Sequence, residues 1–105
     1  MGKDYYTSVN GLEVIDVLSN DNTKFTEKEA FCFGNIIKYI ARAGKKEKDI
    51  RESLDKAFDY YKTLILDNGR CSDRKFKLYV LGRIRIASFS LNANSNYEKF
   101  VEMIP

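Results

Sequence analysis

The stretch that decides the fold runs from Phe31 to Lys46 and reads Phe-Cys-Phe-Gly-Asn-Ile-Ile-Lys-Tyr-Ile-Ala-Arg-Ala-Gly-Lys-Lys. Just before it, Thr26-Glu27-Lys28-Glu29 has the pattern of a capping box, in which a threonine caps a helix and a glutamate three residues later reaches back. Gly44 is expected to end this helix, because glycine readily adopts the positive φ needed there. The pattern predicts a helix over residues 27–43.

The side chains of this helix divide into a wide apolar arc and a narrow polar stripe when they are placed at about 100° per residue. The stripe contains Phe31, Asn35, Lys38 and Arg42, without an acidic side chain, whereas Tyr39 falls in the apolar arc. So wide an arc predicts packing on several sides, at the centre of the fold or in a subunit interface. The stripe should then open into a groove. The alternative is an ordinary solvated helix face.

The chemistry of the stripe suits an anionic ligand such as a phosphate. Lysine and arginine supply positive charge, arginine also a fork for two oxygens, and asparagine a donor and an acceptor for a base or sugar. Lys45 and Lys46 extend the basic patch, although their position beside the negative end of the helix partly explains them. The chain has no GxxxxGK[ST] sequence, so this is not a P-loop.

A second helix is predicted over residues 49–67, where apolar residues recur at helical spacing from Ile50 to Ile65 after Asp49 as N-cap. The short link between the two helices predicts an antiparallel hairpin. Lys56 and Tyr60 lie four residues apart beside the apolar stripe of the second helix. They are candidates for the same groove, and solvation at the surface explains them equally well.

Residues 73–91 fit two patterns. Arg83-Ile84-Arg85-Ile86 alternates like a strand, whereas the length of the segment and its apolar periodicity favour a helix. Short helices are also predicted over residues 11–18 and 97–104, with a loop over 92–96. The prediction is therefore a small all-α domain built on the hairpin, or an α+β domain if residues 73–91 form a strand.

Size and composition limit the possible functions. A chain of 105 residues is expected to form a single domain with a small core, so we expect a homo-oligomer. The net charge of +3 suits a nucleotide but is too weak to indicate duplex nucleic acid. The absence of histidine excludes histidine-based catalysis and argues against zinc. No apolar run approaches a membrane span, and no signal peptide is evident, so a cytoplasmic location is expected.

The N-terminal segment adds two weaker candidates. Tyr5 and Tyr6 have rings that can stack on a base, although adjacent tyrosines more often cover the edge of a core. Glu13 and Asp16 lie three residues apart and are weak candidates for holding Mg²⁺, but solvated acids near a helix N-terminus explain them better.

Several motifs together resemble a known family. They are Glu13-Val14-Ile15-Asp16, Phe33-Gly34-Asn35 with Lys38-Tyr39, Arg42-Ala43-Gly44-Lys45-Lys46, and Leu54-x-Lys56-Ala57-x-x-Tyr60. In order and spacing they resemble the SaV-like phage family, also called domain of unknown function 3310. The resemblance covers about residues 4–67 and leaves residues 70–105 as a C-terminal extension within the single domain 1–105. It implies a phage origin and a nucleotide ligand.

One branch of that family looks like a coliphage nucleotide kinase that acts on deoxynucleoside monophosphates without a P-loop. This chain departs from the family in two places: it has Tyr5-Tyr6 where a His-Tyr pair is usual, and Ser53 where an acid is usual. If those groups serve catalysis in the kinase branch, this chain binds its ligand without turnover. We therefore assign no catalytic residue.

Three functions follow, of which the first is preferred. The chain sequesters a nucleotide or a nucleotide second messenger of host defence, in the host cytoplasm and without a cofactor. Alternatively, it is a nucleoside monophosphate kinase, which would use Mg²⁺ and the cations of the stripe. As a third alternative, it inhibits a host enzyme through its basic C-terminal segment, in which case Arg83 and Arg85 matter more than the stripe.

Overall fold

The computed structural model describes residues 25–45, 49–66 and 74–105. These residues form four helices and no strand: α1 (Glu27–Arg42), α2 (Ile50–Leu66), α3 (Arg74–Ser90) and α4 (Asn94–Glu102). The all-α prediction is confirmed. The helix predicted over residues 11–18 lies outside the described residues. No helix in the described ranges is both long and apolar enough to cross a membrane.

Helix α1 begins at the predicted residue and ends at Arg42, one residue before the predicted end. The Thr26 hydroxyl accepts a hydrogen bond from the Glu29 amide at 3.2 Å, and the Glu29 carboxylate accepts one from the Thr26 amide at 2.9 Å. After the helix, Gly44 has a φ of +78°. A Cβ at that position would lie 3.0 Å from Cγ1 of Ile50, so glycine also permits the close approach of α2.

Helices α1 and α2 form the predicted antiparallel hairpin. Asp49 accepts a hydrogen bond from the Arg51 amide at 3.0 Å and so caps the start of α2. Side-chain contacts show that α2 runs antiparallel to α1. Tyr60 of α2 contacts Phe31 near the start of α1 and also Tyr39 near its end. Lys56, one turn earlier on α2, approaches Tyr39.

Helix α1 is at the centre of the fold, because it contacts α2, α3 and α4. Its isoleucines lie in a core to which every helix contributes. The most buried large side chains are Ile36, Ile37 and Ile40 of α1, Leu64 of α2, Val80 and Ile84 of α3, and Phe100 of α4. The wide apolar arc predicted for α1 therefore reflects its packing against three neighbours.

The strand alternative for residues 73–91 is wrong for residues 74–90, which are helical. In a strand, Ile84 and Ile86 would point to the same face. In α3 they lie on opposite sides, since Ile84 is fully buried and Ile86 is 60% exposed. The alternation of charged and apolar residues from Arg83 to Ile86 therefore does not indicate a strand.

Helix α4 begins at Asn94, three residues before the predicted start, so part of the predicted 92–96 loop is helical. The turn before it places Asn92 at a φ of +58°. Asn96 is buried and donates hydrogen bonds from its side-chain amide to the carbonyl oxygens of Ile40 and Ala43, at 3.0 and 3.1 Å. These hydrogen bonds to α1 explain why a polar side chain is buried at this position.

Candidate functional site

Two aromatic rings from the hairpin meet between α1 and α2. The rings of Tyr39 and Tyr60 stack with their centroids 6.1 Å apart and an interplanar angle of 19°. Phe31, which is 63% exposed, meets Tyr60 edge-on at 6.0 Å and 70°. The hairpin therefore presents a row of rings, one end of which is open to solvent.

Within residues 25–45, 49–66 and 74–105, three cations surround the Tyr39 ring. The Arg42 guanidinium carbon lies 4.4 Å from the ring centroid, the Lys38 Nζ 4.9 Å and the Lys56 Nζ 5.6 Å. A cation within about 6 Å of an aromatic ring is attracted to its negative face. These cations and rings are called the Tyr39 cluster: Phe31, Lys38, Tyr39, Arg42, Lys56 and Tyr60.

The spacing of the sequence explains how the cluster forms. Arg42 follows Lys38 by four residues and Tyr39 by three, so its side chain neighbours both of them on one side of α1. Lys56 and Tyr60 are one turn apart on α2, and the antiparallel hairpin brings both to Tyr39. Positive charges held around one ring repel each other, and a bound anion would relieve that repulsion.

Arg42 is the buried member of the cluster, with only 7% of its surface exposed. A guanidinium keeps its positive charge even when it is buried, because it is not deprotonated in proteins. The stripe therefore differs along its length: it exposes an aromatic ring at Phe31 and buries a permanent cation at Arg42. A charge so buried acts through fewer intervening water molecules than one at the surface.

Asn35 and Lys45 are the remaining predicted residues in the described ranges, and Lys56 has a further partner. Asn35 donates one amide hydrogen to the Phe31 carbonyl oxygen at 2.9 Å, which leaves its side-chain oxygen as an acceptor. Lys45 is exposed just beyond the end of α1. Lys56 forms an ion pair with Glu52 at 3.7 Å, which partly neutralises this edge of the cluster.

Other predicted residues lie outside the described ranges: Tyr5, Tyr6, Glu13, Asp16 and Lys46. Within the described ranges, no group of three or more Cys, Asp or Glu side chains is arranged to hold a metal ion. Ser53, at the position where the resemblance expects an acid, is fully buried in α2. This chain thus has an uncharged hydroxyl where a buried carboxylate would be costly.

Tyr39 is the cluster residue that the periodicity of α1 did not identify. The periodicity places its half-buried ring in the apolar arc, yet in the described residues it is the ring on which three cations converge. Its position between Lys38 and Arg42 is a usable signal, because an aromatic ring with one cation beside it and another three residues later can contact both. The Lys38-Tyr39 pair is also part of the motifs quoted above.

Arg83, a candidate for binding a host enzyme, is packed against aromatic rings of its own chain. Its guanidinium carbon lies 5.4 Å from the ring centroids of Phe25 and Tyr79 and 5.7 Å from that of Phe33, and it donates a hydrogen bond to the Tyr79 hydroxyl. Arg83 is half-buried, whereas Arg85 is exposed. Of the two arginines, only Arg85 lies on an open surface.

The sequence is similar to that of a named phage enzyme. Over 62 residues it is 39% identical to nucleotide kinase gp1.7 of Escherichia phage T7. The match covers 57% of this chain and 31% of the kinase, so this chain corresponds to about a third of its relative. No solved structure has significant similarity to the chain.

A family match covers the same part of the chain. Residues 3–62 match the family described as a protein of unknown function, DUF3310. The matched segment contains every residue of the Tyr39 cluster and ends within α2, so α3 and α4 lie outside it. Because the match covers more than half of its residues, the chain belongs to the DUF3310 family, the phage family that its motifs resemble.

Proposed function

We propose that this protein binds a nucleotide or a nucleotide second messenger at the Tyr39 cluster and holds it without turnover. In an infected host cell it would act as a sponge that lowers the concentration of a defence signal. The observation that carries the proposal is the convergence of Arg42, Lys38 and Lys56 on one ring of a stacked aromatic pair.

The cluster offers a separate contact for each part of a nucleotide. Lys38 and Lys56 supply the cations nearest to solvent, and both are half-buried beside the ring. The exposed ring of Phe31 offers a stacking surface for a base, an interaction worth about 1–3 kcal/mol per base. Asn35 retains an acceptor oxygen for an exocyclic amine. Lys45 lies further along the same helix end and suits a second phosphate.

The chemistry of the cluster favours retention over turnover. Phosphoryl transfer needs a positioned acceptor, a donor nucleotide and usually Mg²⁺. In the described part of the cluster, the nearby carboxylate is Glu52, and it pairs with Lys56. A chain of 105 residues also has little surface on which to hold two nucleotides at once, as a kinase must. We propose separately that the binding unit is a homo-oligomer, because a chain of this length has only a small core.

A nucleoside monophosphate kinase is the second candidate. The observation in its favour is the 39% identity to a phage protein named as a nucleotide kinase. In this alternative the cations of the cluster would neutralise the transferred phosphoryl group, and Glu13 with Asp16 would hold Mg²⁺. The Mg²⁺ requirement makes the two candidates distinguishable.

A retention assay tests both candidates. The purified protein is incubated separately with deoxynucleoside monophosphates plus ATP and Mg²⁺, with linear dinucleotides, and with cyclic nucleotides, then freed of unbound ligand and heated. Recovery of one intact ligand, lost in Arg42→Gln and kept in Lys62→Ala, supports the sponge. ATP-dependent formation of a diphosphate establishes the kinase. If wild-type protein neither retains nor converts any of these compounds, both nucleotide functions are wrong.

A further inference from the structure

Helix α3 is apolar on two opposite sides. Its inner side, which includes Val80 and Ile84, is buried in the core. Its outer side carries three large apolar residues that are mostly exposed: Leu78 at 57%, Ile86 at 60% and Phe89 at 76%. Together with Gly82, which lies between Leu78 and Ile86 along the helix, these three residues are called the α3 outer face.

The four residues of the α3 outer face form one continuous stripe. At about 100° per residue they fall within an arc of about 80°, and at about 1.5 Å per residue the stripe is about 16 Å long. Single exposed apolar side chains are ordinary on protein surfaces, but a contiguous apolar stripe marks an interaction surface. Three turns of a helix are sufficient for a second helix to pack against it.

Neither a close contact nor the backbone conformation requires glycine at position 82. A Cβ built on it meets no heavy atom within 4 Å, and its φ is outside the positive range. Glycine inside an exposed helix lowers helix stability relative to alanine, so the residue has a cost without an internal benefit. Between Leu78 and Ile86 it leaves a notch, and such a notch allows another backbone or side chain to approach closely.

The charges beside the stripe indicate what approaches it. Helix α3 carries five cations and no acid, namely Arg74, Lys75, Lys77, Arg83 and Arg85. Arg74, Lys75 and Arg85 are exposed, and no carboxylate in residues 25–45, 49–66 or 74–105 forms an ion pair with them. A second α3 packed on this face would bring like charges together. An acidic partner would complement them.

A shallow pocket lies at the C-terminal end of the stripe, between the end of α3 and the start of α4. It has a volume of about 380 Å³ and is lined by Arg85, Ile86, Phe89, Ser90 and Asn94. The apolar side chains of Ile86 and Phe89 together with the cation of Arg85 suit an apolar anchor side chain that has an acidic neighbour. Phe89, the most exposed apolar residue of the α3 outer face, lies at the same end of the stripe as this pocket.

We propose that the α3 outer face binds an acidic amphipathic helix of a partner protein, with its apolar side over Gly82 and its acids beside Arg74, Lys75 and Arg85. The mode is a helix packed on a helix through an apolar stripe. A fluid bilayer has no shape that would use the notch at Gly82, so the notch favours a protein over an anionic membrane. This surface lies outside residues 3–62 and does not share a residue with the Tyr39 cluster.

The test uses the intact protein and a designed helical peptide as probe. The peptide has about 18 residues, long enough to hold a helix, with a leucine and alanine stripe flanked by glutamates. A control peptide replaces each glutamate with lysine. We expect the wild-type protein to bind the acidic peptide at least tenfold more tightly than the basic one in fluorescence anisotropy. Phe89→Ser should weaken this binding tenfold, whereas Phe31→Ser, an exposed aromatic on α1, should not change it.

Gly82→Ala separates a binding role from a structural one. It should raise the melting temperature, because alanine is the better helix former, and yet weaken peptide binding severalfold because its methyl group fills the notch. Unchanged or tighter peptide binding by Gly82→Ala would overturn the proposal. So would equal binding of both peptides, or no binding of the acidic one.

Two further outcomes would assign the face to another occupant and also overturn the proposal. One is self-association in sedimentation equilibrium that Phe89→Ser abolishes, which indicates a second copy of this chain. The other is binding to vesicles of phosphatidylglycerol and phosphatidylcholine that depends on Phe89 without any binding of the acidic peptide.

Discussion

The side-chain amide of Asn96 in α4 donates a hydrogen bond to the carbonyl oxygen of Ala43, at 3.1 Å, directly after the last residue of α1. A second hydrogen bond from the same amide reaches Ile40 at 3.0 Å. Helix ends leave their last carbonyl groups without partners inside the helix. Asn96 therefore caps α1 from a distant part of the chain and holds the segment that contains Arg42.

Asn96→Ala should destabilise the fold, because it leaves two buried carbonyl groups without these donors. We expect the free energy of unfolding to fall by about 2 kcal/mol, measured by urea denaturation. Asn94→Ala, at the half-buried start of the same helix, is the matched control and should change stability by less than about 0.5 kcal/mol. Equal effects of the two variants would show that the capping bonds contribute little.

The Tyr39 ring is expected to matter for ligand binding through its aromatic face. Tyr39→Phe keeps the ring that contacts Tyr60, Arg42 and the two lysines, so it should retain affinity within about threefold. Tyr39→Leu removes the ring and should weaken binding of the retained nucleotide about tenfold in isothermal titration calorimetry. If Tyr39→Phe is as weak as Tyr39→Leu, the hydroxyl is the important group instead.

Two lysines of α2 provide a matched pair. Lys56 pairs with Glu52 and lies over Tyr39, whereas Lys62 pairs with Asp59 and lies over Phe58, 5.2 Å from its centroid. Both surface ion pairs should contribute less than about 1 kcal/mol to stability.

Only Lys56→Ala should weaken nucleotide binding, by about tenfold at low salt and less at high salt, because screening reduces the attraction of a solvent-accessible cation for phosphate. The measurement is the dissociation constant at two salt concentrations for each variant. Weakening by Lys62→Ala to the same extent would indicate a general effect of net charge.

Arg83 and Arg85 are two residues apart and should behave differently. Arg83 lies over the rings of Phe25, Phe33 and Tyr79, so Arg83→Ala should lower the free energy of unfolding by about 2 kcal/mol. Arg85→Ala should leave it within about 0.5 kcal/mol, since this side chain is exposed. The measurement is urea denaturation, and a reversed order of the two variants would contradict the described packing.

Two tyrosine phenols, the buried Tyr61 and the half-buried Tyr97, should make the fold sensitive to alkali. Burial raises the pKa of Tyr61, with a smaller contribution from Tyr97, and burial also raises the pKa of Tyr97 although the nearby Arg85 lowers it. Because the folded state holds these protons more tightly than the unfolded state, their contribution to stability is complete below pH of about 10 and is lost as the pH rises further.

Urea midpoints measured from pH 8 to 11 should therefore fall above pH of about 10, and Tyr61→Phe should reduce this fall by removing one ionisable phenol. Lysines titrate in the same range, so the difference between variant and wild type is the quantity to compare. Identical slopes for both proteins would show that Tyr61 does not contribute.

The local elements of this fold could be predicted from the sequence because their signals are local. Thr26 and Glu29 are three residues apart, and the apolar periodicity of α2 is contained within its own helix. The segment over residues 73–91 remained ambiguous because both strand and helix patterns are present in it. Packing decides between them, since a helix places Ile84 in the core and leaves Ile86 exposed.

By itself, the sequence determined the bounds of α1 and α2 to within one residue, the antiparallel hairpin, and the basic stripe on α1, since caps, glycine and periodicity act over a few residues. Only the tertiary structure decided that Tyr39 is the ring on which three cations converge, that Arg42 is buried, and that Arg83 is turned inward. It also decided that Asn96 caps α1 from 53 positions away. Such contacts depend on how the helices pack, and helix packing brings together residues whose relationship is invisible in the linear order of the chain.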